Sequence, residues 1–413
     1  MTTCSKVTPG LFVTVVSLGG VGMTLGIQAV APGLPELQRV LGLTDSQIGM
    51  VTTAYVLPGV FLTVPMGVLG DVIGRRLLFS SALVVSGIVA VVGVFVSSYP
   101  QLLAIRILQG IAFAAVMPLT ITLLGEAFGG AQRVRAFVGR NSILTGSDIV
   151  LPIGGALLAG LWWRAPLVAQ AVNIPLGIAA LLIMTESRPG SSSKRTYARD
   201  LARVIRTEAG MGLILLAQFS RFAFKFVILA YLPILLVNQR GESIAQVGLV
   251  ISLSAVVTVV TTTRVPSLIR RLRPSAALAG SVLAIATALA LFAIVPDWRW
   301  ALCAAAVYGI GDGVIAVLND MYAIHASRSK MRAGMVSVSQ TARNLGKFAS
   351  PVAMAALVAV SSISWAFLIM AMLGTVIAPM MAGLRGMDQR LRLPQTSDGG
   401  AGLADLETDT DPG

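Results

Sequence analysis

The most regular feature of the chain is a series of long apolar runs separated by short polar segments. The stretch 83–96, for example, has one serine and two glycines among apolar residues. A helix that crosses the ~30 Å hydrocarbon layer needs about 20 such residues, whereas barrel strands are about 10 residues long and alternate polar with apolar positions. The pattern predicts an all-α integral membrane protein with twelve transmembrane spans, numbered in chain order: 11–31, 47–66, 77–97, 101–125, 137–158, 165–184, 211–236, 246–263, 276–295, 300–322, 334–357 and 364–384.

A long polar segment divides the twelve spans into two sets of six. We predict an N-terminal six-helix bundle over 1–185, a cytoplasmic linker over 186–210, a C-terminal six-helix bundle over 211–386 and a disordered cytoplasmic tail over 387–413. A weak internal repeat agrees with this division, since a glycine precedes a proline by five or six residues in spans 5 and 11. Two six-helix halves are a common transporter architecture, with the substrate site between them near the bilayer midplane.

Composition and charge placement define the surroundings of the chain. Of its 413 residues 55% are hydrophobic and 12% charged, about half the charge of soluble domains, which carry about 25%. The net charge of +13 would fit a nucleic-acid-binding protein, but 22 of the 31 Lys and Arg residues lie in the termini and in, or at the edges of, even-numbered connections, against four in odd-numbered ones. By the positive-inside rule both termini are cytoplasmic in a multi-pass protein of the cell's inner (plasma) membrane. No nucleic-acid partner is needed.

The residue chemistry of an enzyme is missing from the sequence. It contains no G-x-x-x-x-G-K-[ST] phosphate loop and no pattern of metal ligands or of a nucleophile with its base. Cys4 and Cys303 are far apart and match no disulfide framework or zinc site. We therefore predict a protein that is not an enzyme and has neither a metal nor another cofactor.

The connection between spans 2 and 3 carries the sharpest motif, Gly-Val-Leu-Gly-Asp-Val-Ile-Gly-Arg-Arg at 67–76. Its glycines permit a sharp turn and close helix approach, and its aspartate can cap a helix or pair with an arginine. The motif matches G-x-L-x-D-x-x-G-R-R, and here the chain resembles the major facilitator superfamily. The resemblance implies a cytoplasmic gate that breaks and re-forms, built from Gly67, Gly70, Asp71, Gly74, Arg75 and Arg76.

Two further motifs resemble those of the twelve-helix drug/proton antiporters within that superfamily. Residues 25–35 fit L-G-x5-P-x-x-P, and residues 106–110 fit R-x-x-Q-G, a motif whose arginine, here Arg106, the resemblance links to proton coupling. On residue chemistry alone, the prolines simply end a helix and Arg106 extends to the outer membrane surface. The antiporter motif of span 5 is partial: Gly154 and Gly155 are present, but Leu151 stands where proline is expected. Export and import therefore both stay open.

Polar and ionisable residues inside the spans form stripes at helical spacing. Gln218, Arg221 and Lys225 share one face of span 7, and span 11 repeats that spacing. Such residues are costly in lipid and must face protein or water. We predict a substrate cavity lined by Gln28, Gln109, Phe113, Gln218, Arg221, Lys225, Asn319, Gln340, Arg343 and Lys347. Five basic residues within the spans against two mid-span acids favour anionic, zwitterionic or uncharged substrates over lipophilic cations.

The two mid-span acids, Asp148 and Asp312, are the candidate proton carriers beside Arg106. The alternative is that both pair with Arg or Lys of neighbouring helices and lock the bundles together. Taken with the resemblance, the residues predict a monomeric proton-coupled antiporter that exports small amphipathic drug-like or natural-product molecules across the bilayer by alternating access. The proton gradient as the energy source is implied by the resemblance. The second hypothesis is a proton-coupled uptake symporter for an organic anion or metabolite.

Overall fold

The structure, a computed structural model, describes residues 8–184, 210–325 and 332–388, and in these ranges the secondary structure is helical throughout. Among the described residues, twelve helices follow the order of the predicted spans. They are α1 (Pro9–Gln28), α2 (Asp45–Ile73), α3 (Arg75–Val92), α4 (Tyr99–Ala127), α5 (Gly130–Leu161), α6 (Asn173–Ile183), α7 (Met211–Ile234), α8 (Ile244–Arg271), α9 (Pro274–Ile294), α10 (Trp298–His325), α11 (Arg332–Val360) and α12 (Ile363–Met380). A short helix, Leu34–Leu41, follows α1, and turns over 165–172 precede α6.

The helices confirm the all-α membrane class. Ten helical segments of the described chain are long and apolar enough to cross a bilayer, and eleven are if the two parts of the bent helix α2 count as one span. Helix α11 is not among them. It is long enough, but Gln340, Arg343, Asn344 and Lys347 lower its apolar character. The twelfth span of the prediction therefore depends on a helix whose polar face needs protein or water beside it.

Helix packing repeats between the two sets of six helices. In the first set α1 packs against α5, α2 against α4, and α3 against α6; in the second α7 packs against α11, α8 against α10, and α9 against α12. Each pair of the second set is the pair of the first moved on by six helices. The two sets meet through α2 with α11 and through α5 with α8, which exchange under the same shift. This twofold pattern agrees with the internal repeat.

The segment between spans 2 and 3 differs from the prediction. We expected 67–76 to be a connection, but α2 continues through Ile73 and the chain breaks only at Gly74, where φ is 97°. Glycine adopts this left-handed backbone region without the steric cost that a Cβ imposes. The gate motif is therefore the last two turns of one helix and the first turn of the next, with a single residue between them.

The folded chain also extends further at its C-terminal end than expected. The tail is predicted to begin at 387, yet Asp388 is buried. Its carboxylate accepts hydrogen bonds from Ser275 N at 3.0 Å and from Tyr322 Oη at 2.7 Å, and so caps the start of α9. Asp388 makes these contacts with residues far away in the sequence, so the polar composition of the tail could not predict them. The rest of the predicted tail and linker residues 186–209 lie outside the described residues.

Candidate functional site

Helix α7 places its polar face against α10. Arg221 donates from Nε to Asp312 Oδ1 at 2.7 Å and from Nη2 to Asp312 Oδ2 at 3.1 Å, a bidentate ion pair. Only 4% of the Asp312 side chain is exposed, and 15% of the Arg221 side chain. A guanidinium presents two parallel donors that match a carboxylate, so the pair holds the two helices in one register.

The next turn of α7 reaches across to the first set of helices. Lys225 Nζ lies 3.1 Å from Asp148 Oδ2 on α5, and Gln28 Nε2 of α1 donates to Asp148 Oδ1 at 2.8 Å. About a quarter of the Lys225 side chain and 30% of the Asp148 side chain are exposed. Both predicted proton carriers thus pair with a cation of α7, which is the geometry of the alternative reading. For Asp148 that pair joins the two sets of helices.

A third polar level lies one turn closer to the predicted cytoplasmic side. Arg343 of α11 forms an ion pair with Asp320 of α10 and donates from Nε to Gln218 Oε1 at 3.1 Å. More than half of the Asp320 side chain is exposed. Together with the two pairs above, this cluster forms what we call the central site, a column of three ionic levels along α7.

Lys347 of α11 stands beside this column without a carboxylate partner in the described chain. Its Nζ lies 5.0 Å from the ring centroid of Phe222 on α7 and 5.6 Å from that of Phe113 on α4. Lys347 Nζ donates a long hydrogen bond to Asn344 Oδ1 at 3.5 Å, and Gln340 Nε2 donates to the same oxygen at 3.4 Å. Phe113 and Lys347 were both predicted to line the substrate cavity, from opposite halves of the chain, and the structure places them side by side.

Arg106 lies inside the first set of helices rather than at the outer surface. It is 1% exposed, which contradicts the reading that it extends to water. Its Nη1 donates to Gly26 O at 3.0 Å and to Gln109 Oε1 at 3.2 Å, and its guanidinium lies 5.6 Å from the ring of Tyr55. Arg106 is therefore held by the backbone oxygen of Gly26 and the amide oxygen of Gln109, and neither Arg106 nor Gln109 joins the central site.

Two other buried polar residues lie on α10, the helix that also carries Asp312 and Asp320. Asn319 is 1% exposed, and neither amide atom has a hydrogen-bond partner among the described residues. Tyr308, which the sequence analysis missed, is also buried with its hydroxyl unpartnered there. Tyr308 lies within electrostatic range of Asp312, Arg221 and Asp148. It precedes Asp312 by four residues, so the helical stripe would have included it if aromatic hydroxyls had been counted.

The predicted gate motif forms a compact network at the predicted cytoplasmic end of the first six helices. Arg75 donates from Nη2 to Asp71 Oδ1 at 2.7 Å and forms a second ion pair with Glu126 at the end of α4. Arg76 donates from Nε to Leu181 O at 3.0 Å. All of these partners belong to the first six helices, so the motif fixes the ends of α2, α3, α4 and α6 against one another.

The two sets of helices also touch at their predicted outer end. Asn238, just after α7, donates from Nδ2 to Gln38 Oε1 at 2.9 Å. On the same side Gly155 of α5 lies so close to α1 that a Cβ there would be 2.0 Å from Ala29 O. Small residues permit such approach, so Gly155 of the partial antiporter motif serves close packing at this end, whereas a Cβ at Gly154 would meet open space.

The described residues contain no group of three or more His, Cys, Asp or Glu side chains placed to hold a metal ion. Comparison with solved structures gives the fold. A nucleoside transporter, NupG, aligns with a TM-score of 0.77 at 13% identity over 91% of this chain and 99% of its own. A bacterial homologue of the human lysosomal transporter Spinster, in an inward-facing and unoccupied conformation, aligns with a TM-score of 0.75 at 14% identity over 94% and 98%.

Relatives of known name share parts of the sequence. The bacillibactin exporter of Bacillus subtilis is 32% identical over 151 residues, 35% of this chain and 38% of its own length. The cephamycin export protein CmcT of Amycolatopsis lactamdurans is 31% identical over 192 residues, 45% and 39% respectively. The chain thus spans about four tenths of these relatives' length. A family model for the Major Facilitator Superfamily matches residues 16–351 and 214–406. The predicted resemblance is confirmed: the chain belongs to the major facilitator superfamily, whose members are membrane transporters and not enzymes.

Proposed function

We propose that the chain is a proton-coupled antiporter that exports small amphipathic molecules from the cell by alternating access. The two relatives named above support export, since one is a bacillibactin exporter and the other a cephamycin export protein. The charge pattern of the connections supports a plasma-membrane location with both termini in the cytoplasm. We expect a monomer, because each set of six helices finds its partner within the same chain.

The observation that carries this proposal is the ion pair of Lys225 with Asp148. It links α7 to α5, and so ties one set of helices to the other near the middle of predicted spans 5 and 7. Both side chains are partly exposed, and in the proposed cycle water in the central site carries the proton to the carboxylate. A proton on Asp148 removes the negative charge that attracts Lys225 and leaves only hydrogen bonding to hold the two helices together.

The remaining contacts suggest the order of steps in the proposed transport cycle. The contact of Asn238 with Gln38 holds the predicted outer end together, so the central site opens toward the cytoplasm and loads substrate there. Release of Lys225 lets the two helix sets rock about α2–α11 and α5–α8, which opens the outer side. Loss of the proton restores the pair after the substrate has left. Arg75 and its two carboxylates keep the cytoplasmic ends of the first helices rigid while this happens.

The test is transport in proteoliposomes under an imposed pH gradient, with norfloxacin, puromycin and cefoxitin as probes. We expect at least one probe to move against its own gradient as protons move the other way, with nigericin abolishing the movement. Protein-free liposomes correct for passive diffusion. Asp148→Asn is expected to lose the gradient-driven movement and to keep exchange of probe for probe. Gradient-driven transport that is unchanged in Asp148→Asn would remove this residue as the proton carrier.

An uptake symporter for an organic anion is the second candidate. It is favoured by one observation, the cation of Lys347, which has no carboxylate partner in the described ranges. The direction of proton flow separates the two candidates in the same liposomes. An antiporter moves protons and probe in opposite directions, whereas a symporter moves them together.

A further inference from the structure

The basic residues of the central site differ in how their charge is balanced. Four cations project from α7 and α11, and three of them meet a carboxylate within ion-pair distance: Arg221 with Asp312, Lys225 with Asp148, and Arg343 with Asp320. Lys347 is the fourth, and in the part of the chain that the structure describes it has no such partner. With Lys347 protonated, the column carries one positive charge more than its three carboxylates balance, and that charge lies at Lys347.

The surroundings of this charge are aromatic. Phe222 and Phe113 present their rings to Lys347 Nζ at 5.0 and 5.6 Å. Phe113 comes from α4 and Phe222 from α7, so this cluster lies between the two sets of helices. A ring face attracts a cation but does not neutralise it. A charge held in the membrane interior needs a counter-charge, and among the described residues no carboxylate lies within ion-pair distance of Lys347.

We propose that Lys347, Phe113 and Phe222 form the binding site for the anionic group of the transported molecule. The substrate class is then an amphipathic acid, with a carboxylate or similar oxyanion next to a flat apolar body. The oxyanion accepts a charge-assisted hydrogen bond from Lys347 Nζ, and the body packs between the two rings. This inference rests on the proposed function, because it names the substrate class of the same site.

The other cations are poorer candidates for this role. An anion at Arg221 would have to displace both oxygens of Asp312 from a bidentate pair. An anion at Lys225 would compete with Asp148, whose contact the proposed transport cycle uses. Arg343 is held by Asp320 and by Gln218 Oε1. Binding at Lys347 breaks no ion pair, and it brings the net charge of the column to zero.

The experiment measures direct binding to the purified full chain in detergent, by microscale thermophoresis. The probes are two matched pairs, 2-naphthoate with 2-naphthamide and 1-pyrenebutyrate with 1-pyrenebutyramide, and the lipophilic cation tetraphenylphosphonium. For at least one pair we expect the carboxylate to bind about tenfold more tightly than the amide. Lys347→Gln should bring that ratio close to one, and Lys347→Arg should keep most of it. Lys347→Met is a second neutral variant if glutamine prevents folding.

The matched control is the double variant Lys225→Gln/Asp148→Asn, which removes one cation and one carboxylate together. It should lose gradient-driven transport and keep the carboxylate preference, so failure of the coupling mechanism and failure of this inference are separate results. Ratios below about twofold for both pairs in the wild type overturn the inference. So does a ratio that Lys347→Gln leaves unchanged, or tighter binding of tetraphenylphosphonium than of both carboxylates.

Discussion

The buried ion pair of Arg221 with Asp312 allows the stability of the second helix set to be tested by substitution. The carboxylate is 4% exposed and receives two bonds, at 2.7 and 3.1 Å. Removing one partner leaves the other as an uncompensated charge in a medium of low dielectric, at a cost of about 3–5 kcal/mol. We expect Asp312→Asn and Arg221→Gln each to lower the free energy of unfolding by that amount. The volume-matched double variant Arg221→Met/Asp312→Leu should stay within about 1 kcal/mol of the wild type.

The assay is unfolding of the purified protein in mixed micelles by titration with sodium dodecyl sulfate, followed by circular dichroism. Asp148→Asn is the internal comparison, because its pair with Lys225 is 24% and 30% exposed. Partly hydrated pairs contribute about 1 kcal/mol or less, so this variant should be less destabilised than Asp312→Asn. The reasoning is refuted if Asp148→Asn costs as much as Asp312→Asn, or if the apolar double variant is as unstable as either single one.

Three further predictions concern helix contact, the gate motif and topology. Gly155→Ala places a Cβ against the backbone at the end of α1 and should lower the free energy of unfolding by about 1–3 kcal/mol in the sodium dodecyl sulfate titration. The control is Gly154→Ala, whose Cβ meets open space and which should change that free energy by less than about 0.5 kcal/mol. Arg75→Gln loses the ion pairs with both carboxylates, and we expect it to lower the free energy of unfolding by about 1 kcal/mol. We also expect a several-fold slower initial rate of transport in proteoliposomes; an unchanged rate would argue against a gating role. In a background without native cysteines, Ser97→Cys should react with a membrane-impermeant maleimide in intact cells and Arg273→Cys only after permeabilisation; the reverse pattern would contradict the orientation.

The sequence predicts the helices well because apolar length and helical spacing are local properties. The face of α7 that carries Gln218, Arg221 and Lys225 follows directly from that spacing, and in the structure each of the three engages a carboxylate group on another helix. Which carboxylate each residue meets does not follow, because it depends on how helices far apart in the chain pack together. Both alternatives for Asp148 and Asp312 were open for this reason.

The residues that sequence reasoning missed share a cause as well. Tyr308 and Phe222 count as hydrophobic residues in the composition. In the fold, however, Tyr308 lies within electrostatic range of the ion-paired residues, and the ring of Phe222 lies close to three cations. Glu126 becomes the second partner of Arg75 only because α2 continues to Ile73 and brings the motif beside the end of α4. Such roles arise from neighbours that periodicity does not specify.

Helix α7 makes contacts of two kinds along one face. Gln218 and Arg221 bind residues of the second set, Asp320 and Asp312, whereas Lys225 binds Asp148 of the first set. Arg221 and Lys225 are four residues apart, about one helical turn, so the two kinds of contact are neighbours but do not share a carboxylate. In the proposed cycle, release of Asp148 therefore leaves the contacts within the second set intact, and we expect that set to move as one body with α7 attached to α10.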